Sequence, residues 1–311
     1  MAVERRTIVR SSKAAFWLGI AAIACGIVSF ATLNSALLLL YLVLVLVTFV
    51  GLIVLRRYAG GPLNCQWAYW AIAAPCAFLA LSLFLIPICT LLNVSEIRVK
   101  SSKSLKEIAQ GLLAYQEKHN LLPPAAINDA DGKPLLSWRV AILPFLGEEG
   151  LYRQFNLDEP WDSPWNVALL KRMPAVYHTR LQPGETAPPH TTFYQVFVGP
   201  GTVFERGAKV NIPQDIPDGV QDTILVVQAG NPVPWTKPDD LVYDPKGPLP
   251  LLGAFRREKG QYPWRGGEGT SAVFIALCDG HVRTIQWPGI SEKTLRDAIT
   301  RNDGHWLGND W

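Results

Sequence analysis

The sequence predicts an α+β protein: an N-terminal three-helix transmembrane region, followed by a long amphipathic helix packed on an antiparallel β-sheet. Three observations predict it. The first third holds apolar runs with no Asp, Glu, Lys or Arg inside them. From Leu105 onward, apolar residues recur at three- and four-residue steps, as Leu105, Ile108, Ala109, Leu112 and Tyr115. Near the C-terminus two β-rich runs, AVFIALC and HVRTIQW, flank an Asp-Gly pair.

Residues 1–13 form a polar tail with Arg5, Arg6, Arg10 and Lys13. Spans are predicted at about 14–33, 36–55 and 67–92, each long enough to cross roughly 30 Å of hydrocarbon. Pro75 and Pro87 kink the third span without ending it. A second apolar run follows the first at once, which argues against a cleavable secretory signal. The basic tail and Arg56-Arg57 favour the cytoplasmic side, so three spans deliver the rest of the chain outside. Arg98, Lys100, Lys103 and Lys106 argue the other way, and the first helix is weighed more heavily. The expected location is the cell inner (cytoplasmic) membrane, multi-pass, with residues 1–97 as the membrane region and 98–311 as an extracytoplasmic domain. The lipid bilayer is its first expected partner.

Ser104 followed by Glu107 fits a capping box, as does Asn93 followed by Glu96, so the soluble helix starts afresh at Ser104 or runs on from the third span. Asn120 and Pro123-Pro124 end it. Asp129–Gly132 reads as a turn, Leu135–Leu146 as a short helix or strand-like packing segment, and Glu148–Phe155 as a helical turn. Leu157–Trp165 reads as loop and Val167–Met173 as a short helix. Strands are predicted at Thr192–Val198, Val203–Phe204, Thr223–Val227, Ala272–Leu277 and Val282–Trp287. In the last hairpin a two-residue turn at Asp279-Gly280 is expected, with both residues at positive φ. An amphipathic helix over Ser291–Thr300 closes the chain.

At 311 residues, 49% of them apolar and 18% charged, the chain is greasier than an ordinary soluble enzyme, and the excess lies in its first third. A net charge of +3 without a basic run interleaved with aromatics excludes a nucleic-acid partner. Of the five cysteines only Cys278 lies in the soluble part, so an internal disulfide there is excluded, and zinc-ligand spacing is absent. Asp158, Glu159 and Asp162 on the LDEPWDSP loop are candidate ligands for a hard cation, although Asp and Pro are also ordinary turn formers. Asp215, Asp218 and Asp222, and Asp239, Asp240 and Asp244, invite the same reading more weakly. His119, His178, His190, His281 and His305 are scattered, and Ser137 and Ser271 lack the setting of a nucleophile elbow. No catalytic residue and no cofactor is therefore predicted. Arg139 between Trp138 and Val140 reads as a snorkelling side chain or as half of a structural ion pair, with Asp158 or Asp162 as partner, and a substrate role is the weaker rival. Trp161, Trp165, Trp235 and Trp264 read as packing of loops onto the sheet, with a glycan or partner surface as the rival.

The stretches SLKEIAQGLLAYQEKHNLLPPAAI, DADGKPLLSWRVAILPFL, LYRQFNLDEPWDSPWN, VPWTKPDDL, ALCDGHVRTI and LRDAITRNDG resemble a large, mainly planctomycete family, known as "domain of unknown function fifteen-fifty-nine". The resemblance covers about residues 100–305. It implies a pseudopilin-like domain, and a solute-binding label is sometimes attached to such proteins. Members usually begin with a prepilin signal, Gly-Phe-Thr-Leu-Ile-Glu, which this sequence lacks. Many also carry a His ten residues before the Asp of the hairpin; here Gly269 stands in that place before Asp279.

The expected function is a non-enzymatic structural or interaction role at the cell envelope, with envelope proteins as partners. A solute-binding or sensing module is the alternative, and an envelope hydrolase a weaker one. The apolar stripe of the long helix has only the sheet to bury against. Leu112→Ala should therefore cost roughly 2–5 kcal/mol in urea melting, the usual cost of truncating a buried Leu. A change within about 0.5 kcal/mol would mean that the stripe faces water or another protein.

Overall fold

The computed structural model describes residue 96 and residues 98–179, 187–253, 271–287 and 289–311. These lie in one unit running from Ser95 to Trp311. The first helix among the described residues, α1 (residues 98–119), buries Leu105, Ile108, Ala109 and Leu112 completely, with Tyr115 half-buried on the same core. It is helical without a break through Ser104, so the capping box expected there is not used. Asn120 ends it in the left-handed conformation (φ 60°), and the Leu122 N–H then donates to the Val210 carbonyl at 2.9 Å.

A two-stranded hairpin follows, β1 (Ala126–Asn128) and β2 (Pro134–Ser137). Asp129 Oδ1 closes its turn by accepting from the N–H groups of Asp131 and Lys133. The Ser137 hydroxyl caps α2 (Trp138–Ala141), and a 3-10 turn over Leu143–Leu146 ends at Gly147. Two short helices come next, α3 (Glu149–Tyr152) and α4 (Pro164–Leu169).

The main sheet is antiparallel, in the order β3-β5-β7-β8: β3 (Thr191–Gln195), β5 (Ile224–Pro234), β7 (Ser271–Leu277) and β8 (Val282–Trp287). Between them β4 (Phe197–Val198) pairs in parallel with β6 (Leu241–Val242). Helix α5 (Glu292–Ile299) closes the chain, capped by Ser291. Phe274, Ala276 and Cys278 share a core with the buried stripe of α1, while Val273, Ile275 and Leu277 share a second one with Leu295, Ala298 and Ile299 of α5. Strand β7 is buried on both faces, which explains its unbroken apolar run.

The α+β layout with a long helix against an antiparallel sheet is thus present. The expected three-helix transmembrane region is corrected: no helix among the described residues is long and apolar enough to cross a membrane. The predicted spans at about 14–33, 36–55 and 67–92 lie outside the described residues. Val203–Phe204 is a buried turn and not a strand. The expected strand Thr192–Val198 breaks at Val196, whose N–H donates to a carboxylate, Asp240 Oδ1, instead of to a neighbouring strand. The hairpin between β7 and β8 also differs. The Leu277 N–H donates to the His281 carbonyl and closes a three-residue loop, in which Gly280 alone has positive φ, 84°. A type I turn followed by one left-handed residue needs only that glycine.

Candidate functional site

The site grows from LSWRV. Ser137 stops β2 and caps α2, which turns Arg139 inward until its side chain is fully buried. The guanidinium finds a partner on each branch. Its Nε donates to the Tyr194 carbonyl at 2.8 Å, one terminal nitrogen to Ser137 Oγ at 2.6 Å, and the other to Asp240 Oδ1 at 2.6 Å. The same Oδ1 accepts from Trp138 Nε1 at 3.2 Å and from the Val196 N–H at 3.1 Å. Asp240 Oδ2 is buried and has no hydrogen-bond partner. Burial pushes the Asp240 carboxyl above its ordinary range, against the pull of Arg139 and the other donors. The Arg139 guanidinium also lies over the Trp138 ring, 4.8 Å from its centroid, and the Tyr177 hydroxyl donates to the Arg139 carbonyl at 2.8 Å.

Beside this pair a cleft of about 470 Å³ opens between the segment 122–134, the loop 203–210 and the segment 238–242. Its walls are apolar, with Pro124, Val198, Phe204 and Val242 among them. Val198 and Val242 are register partners on β4 and β6, so the cleft lies over one face of that small sheet. Its charged lining residues are Glu205, Arg206, Asp239 and Asp240.

The partner expected for Arg139, Asp158 or Asp162, is corrected to Asp240. The physical reason is the path of the LDEPWDSP loop, which wraps around the buried amide of Asn166. That side chain reaches the carbonyls of Asn156, Glu159 and Pro160 at 2.9–3.1 Å, and its Oδ1 accepts from the Asn156 N–H. Asp158 and Asp162 are left exposed and Glu159 half-buried. Among the described residues, the group of His, Cys, Asp or Glu whose ligand atoms come within 4.8 Å of one another is Asp297, Asp303 and His305, not Asp158, Glu159 and Asp162.

Three of the other candidate acids accept backbone N–H groups. Asp215 accepts from the Asn211 N–H, Asp218 from those of Asp303 and Gly304, and Asp244 from that of Lys246. Trp235 is fully buried, Trp161 is half-buried against the core and Trp165 is exposed, while Trp264 lies outside the described residues. Cys278 is buried, which pushes its thiol up and suits a small apolar residue. His119 packs its ring against Tyr115, and His281 Nδ1 lies 2.9 Å from Asp279. Sequence reasoning missed Asp240 as the partner of Arg139, because KPDDL reads as a turn and the two residues are far apart in the chain. It missed Arg206 for want of any motif around it.

Residues 98–199 match the family model described as Protein of unknown function (DUF1559). The resemblance read from the sequence is thereby shown over that segment. No curated protein and no solved structure matches the chain, so the pseudopilin likeness has no support from a known structure.

If the Asn166 amide organises the LDEPWDSP loop, Asn166→Ala strands three carbonyls and should lower stability by about 1–3 kcal/mol. Millimolar calcium should leave the melting temperature of the unaltered protein unchanged. A calcium-dependent rise that Asp158→Asn abolishes would instead make the loop a cation site.

Proposed function

We propose, for a chain whose residues 98–199 match the family model described as Protein of unknown function (DUF1559), that the domain is a non-catalytic binding module. Its interaction role is exercised by holding a small ligand in the cleft beside Asp240. The observation that carries this reading is the cleft itself. Its volume of about 470 Å³ falls in the range of small-molecule sites, and its walls are apolar with a few polar groups.

Catalysis calls for a titratable group that is both perturbed and able to meet a reacting atom. The perturbed carboxyl at this cleft, Asp240, has a side chain only 3% exposed, and its Oδ1 is occupied by Arg139. Glu205 and Asp239 are each held in an ion pair, with Arg301 and Lys237. These groups fit a rigid receptor better than an acid-base pair. The solute-binding alternative and the interaction role therefore meet in one place.

The test is an amide-resolved NMR titration of the protein with 1-hexanol, hexylammonium and hexanoate. At least one probe should give saturable shifts clustered at Ala125, Asn128, Phe204 and Val242. Ala126→Trp, which fills the cleft from β1, should abolish them. Shifts that cluster elsewhere, or no saturable shifts with any probe, would overturn the reading.

A further inference from the structure

We infer that the cleft takes a small organic anion with an apolar body, and that Arg206 is the residue that holds its charge. This rests on the binding reading above and adds the ligand's chemical class. Each carboxylate around the cleft has a partner. Asp240 is matched by Arg139 at 2.6 Å, Asp239 by Lys237 at 2.7 Å, and Glu205 by Arg301 at 2.7 Å. Arg206 is exposed and, among the described residues, has no ion-pair partner. Each of the three carboxylates of the lining therefore has a cation of its own, and one exposed positive charge, Arg206, is left over.

A cation entering the cleft would meet carboxylates already paired and an arginine that repels it. A monoanion would complete the one unmatched charge and lay its hydrocarbon body on Pro124, Val198, Phe204 and Val242. Low-dielectric walls leave the field of Arg206 less screened than it is at an open surface. A guanidinium suits this task because its planar fork can donate two parallel hydrogen bonds to a carboxylate. Asn128, exposed and also among the lining residues, adds an amide to the cleft.

The experiment compares hexanoate, 1-hexanol and hexylammonium by calorimetric or NMR titration of the full chain, alongside Arg206→Ala and Arg206→Glu. Arg206 is exposed and unpaired, so both variants should keep the far-ultraviolet circular dichroism and the melting temperature of the parent. Hexanoate should bind about fivefold more tightly than 1-hexanol, the effect of one partly desolvated ion pair, and should weaken as salt is added. Arg206→Ala should bring hexanoate to the level of the alcohol, and Arg206→Glu should shift the preference to hexylammonium. If 1-hexanol or hexylammonium binds the parent as tightly as hexanoate, or if Arg206→Ala leaves hexanoate unchanged, the inference falls while the cleft stays a binding site. If no probe binds in the cleft, both fall.

Discussion

The buried pair of Arg139 and Asp240 is the interaction on which the rest of the domain depends. Taking both charges out of water costs several kcal/mol for each ion, and the loss is offset only when the geometry is good and the remaining donors are satisfied. Here the offset comes from several parts of the chain at once: Ser137 at the end of β2, the Tyr194 carbonyl on β3, the Val196 N–H at the strand break, and Asp240 just before β6. None of these segments satisfies the guanidinium alone. The pair therefore locks the hairpin with α2, the end of β3 and the start of β6 into one arrangement.

Two features of the fold follow from that lock. The first is the switch of the chain from the main sheet to the small parallel one. The Val196 N–H is taken by Asp240, the strand cannot continue, and Phe197–Val198 pairs instead with Leu241–Val242. The second is the cleft. One of its walls belongs to the hairpin and another to β4 and β6, the same segments that the pair draws together. A binding surface built on such a lock is preorganised, which reduces the ordering cost that a ligand must overcome.

Much of this architecture was legible in the sequence, because it depends on local period and turn chemistry. The stripe of α1, the DADG turn, the hairpin of β7 and β8 and the closing amphipathic helix all follow from patterns within a few residues. The site was legible only in part. Arg139 between Trp138 and Val140 suggested half of an ion pair, but its partner lies 101 residues away, and nothing local in KPDDL distinguishes a buried carboxylate from a solvated turn. The LDEPWDSP loop misled for the opposite reason. Its acids are conspicuous, while the residue that shapes it is the unremarked amide of Asn166. The break at Val196 was invisible, since an apolar run gives no sign that one of its N–H groups will be claimed by a side chain.

The most direct measurement is a double-mutant cycle in chemical denaturation: Asp240→Ala, Arg139→Met, and the two together. Each single change leaves a buried charge or donor set without its partner and should cost about 3–5 kcal/mol. The double variant should cost clearly less than the two losses added, with a coupling of at least about 1.5 kcal/mol. Losses that add to within about 0.5 kcal/mol would show that the two residues act independently, and that the pair does not hold these segments together.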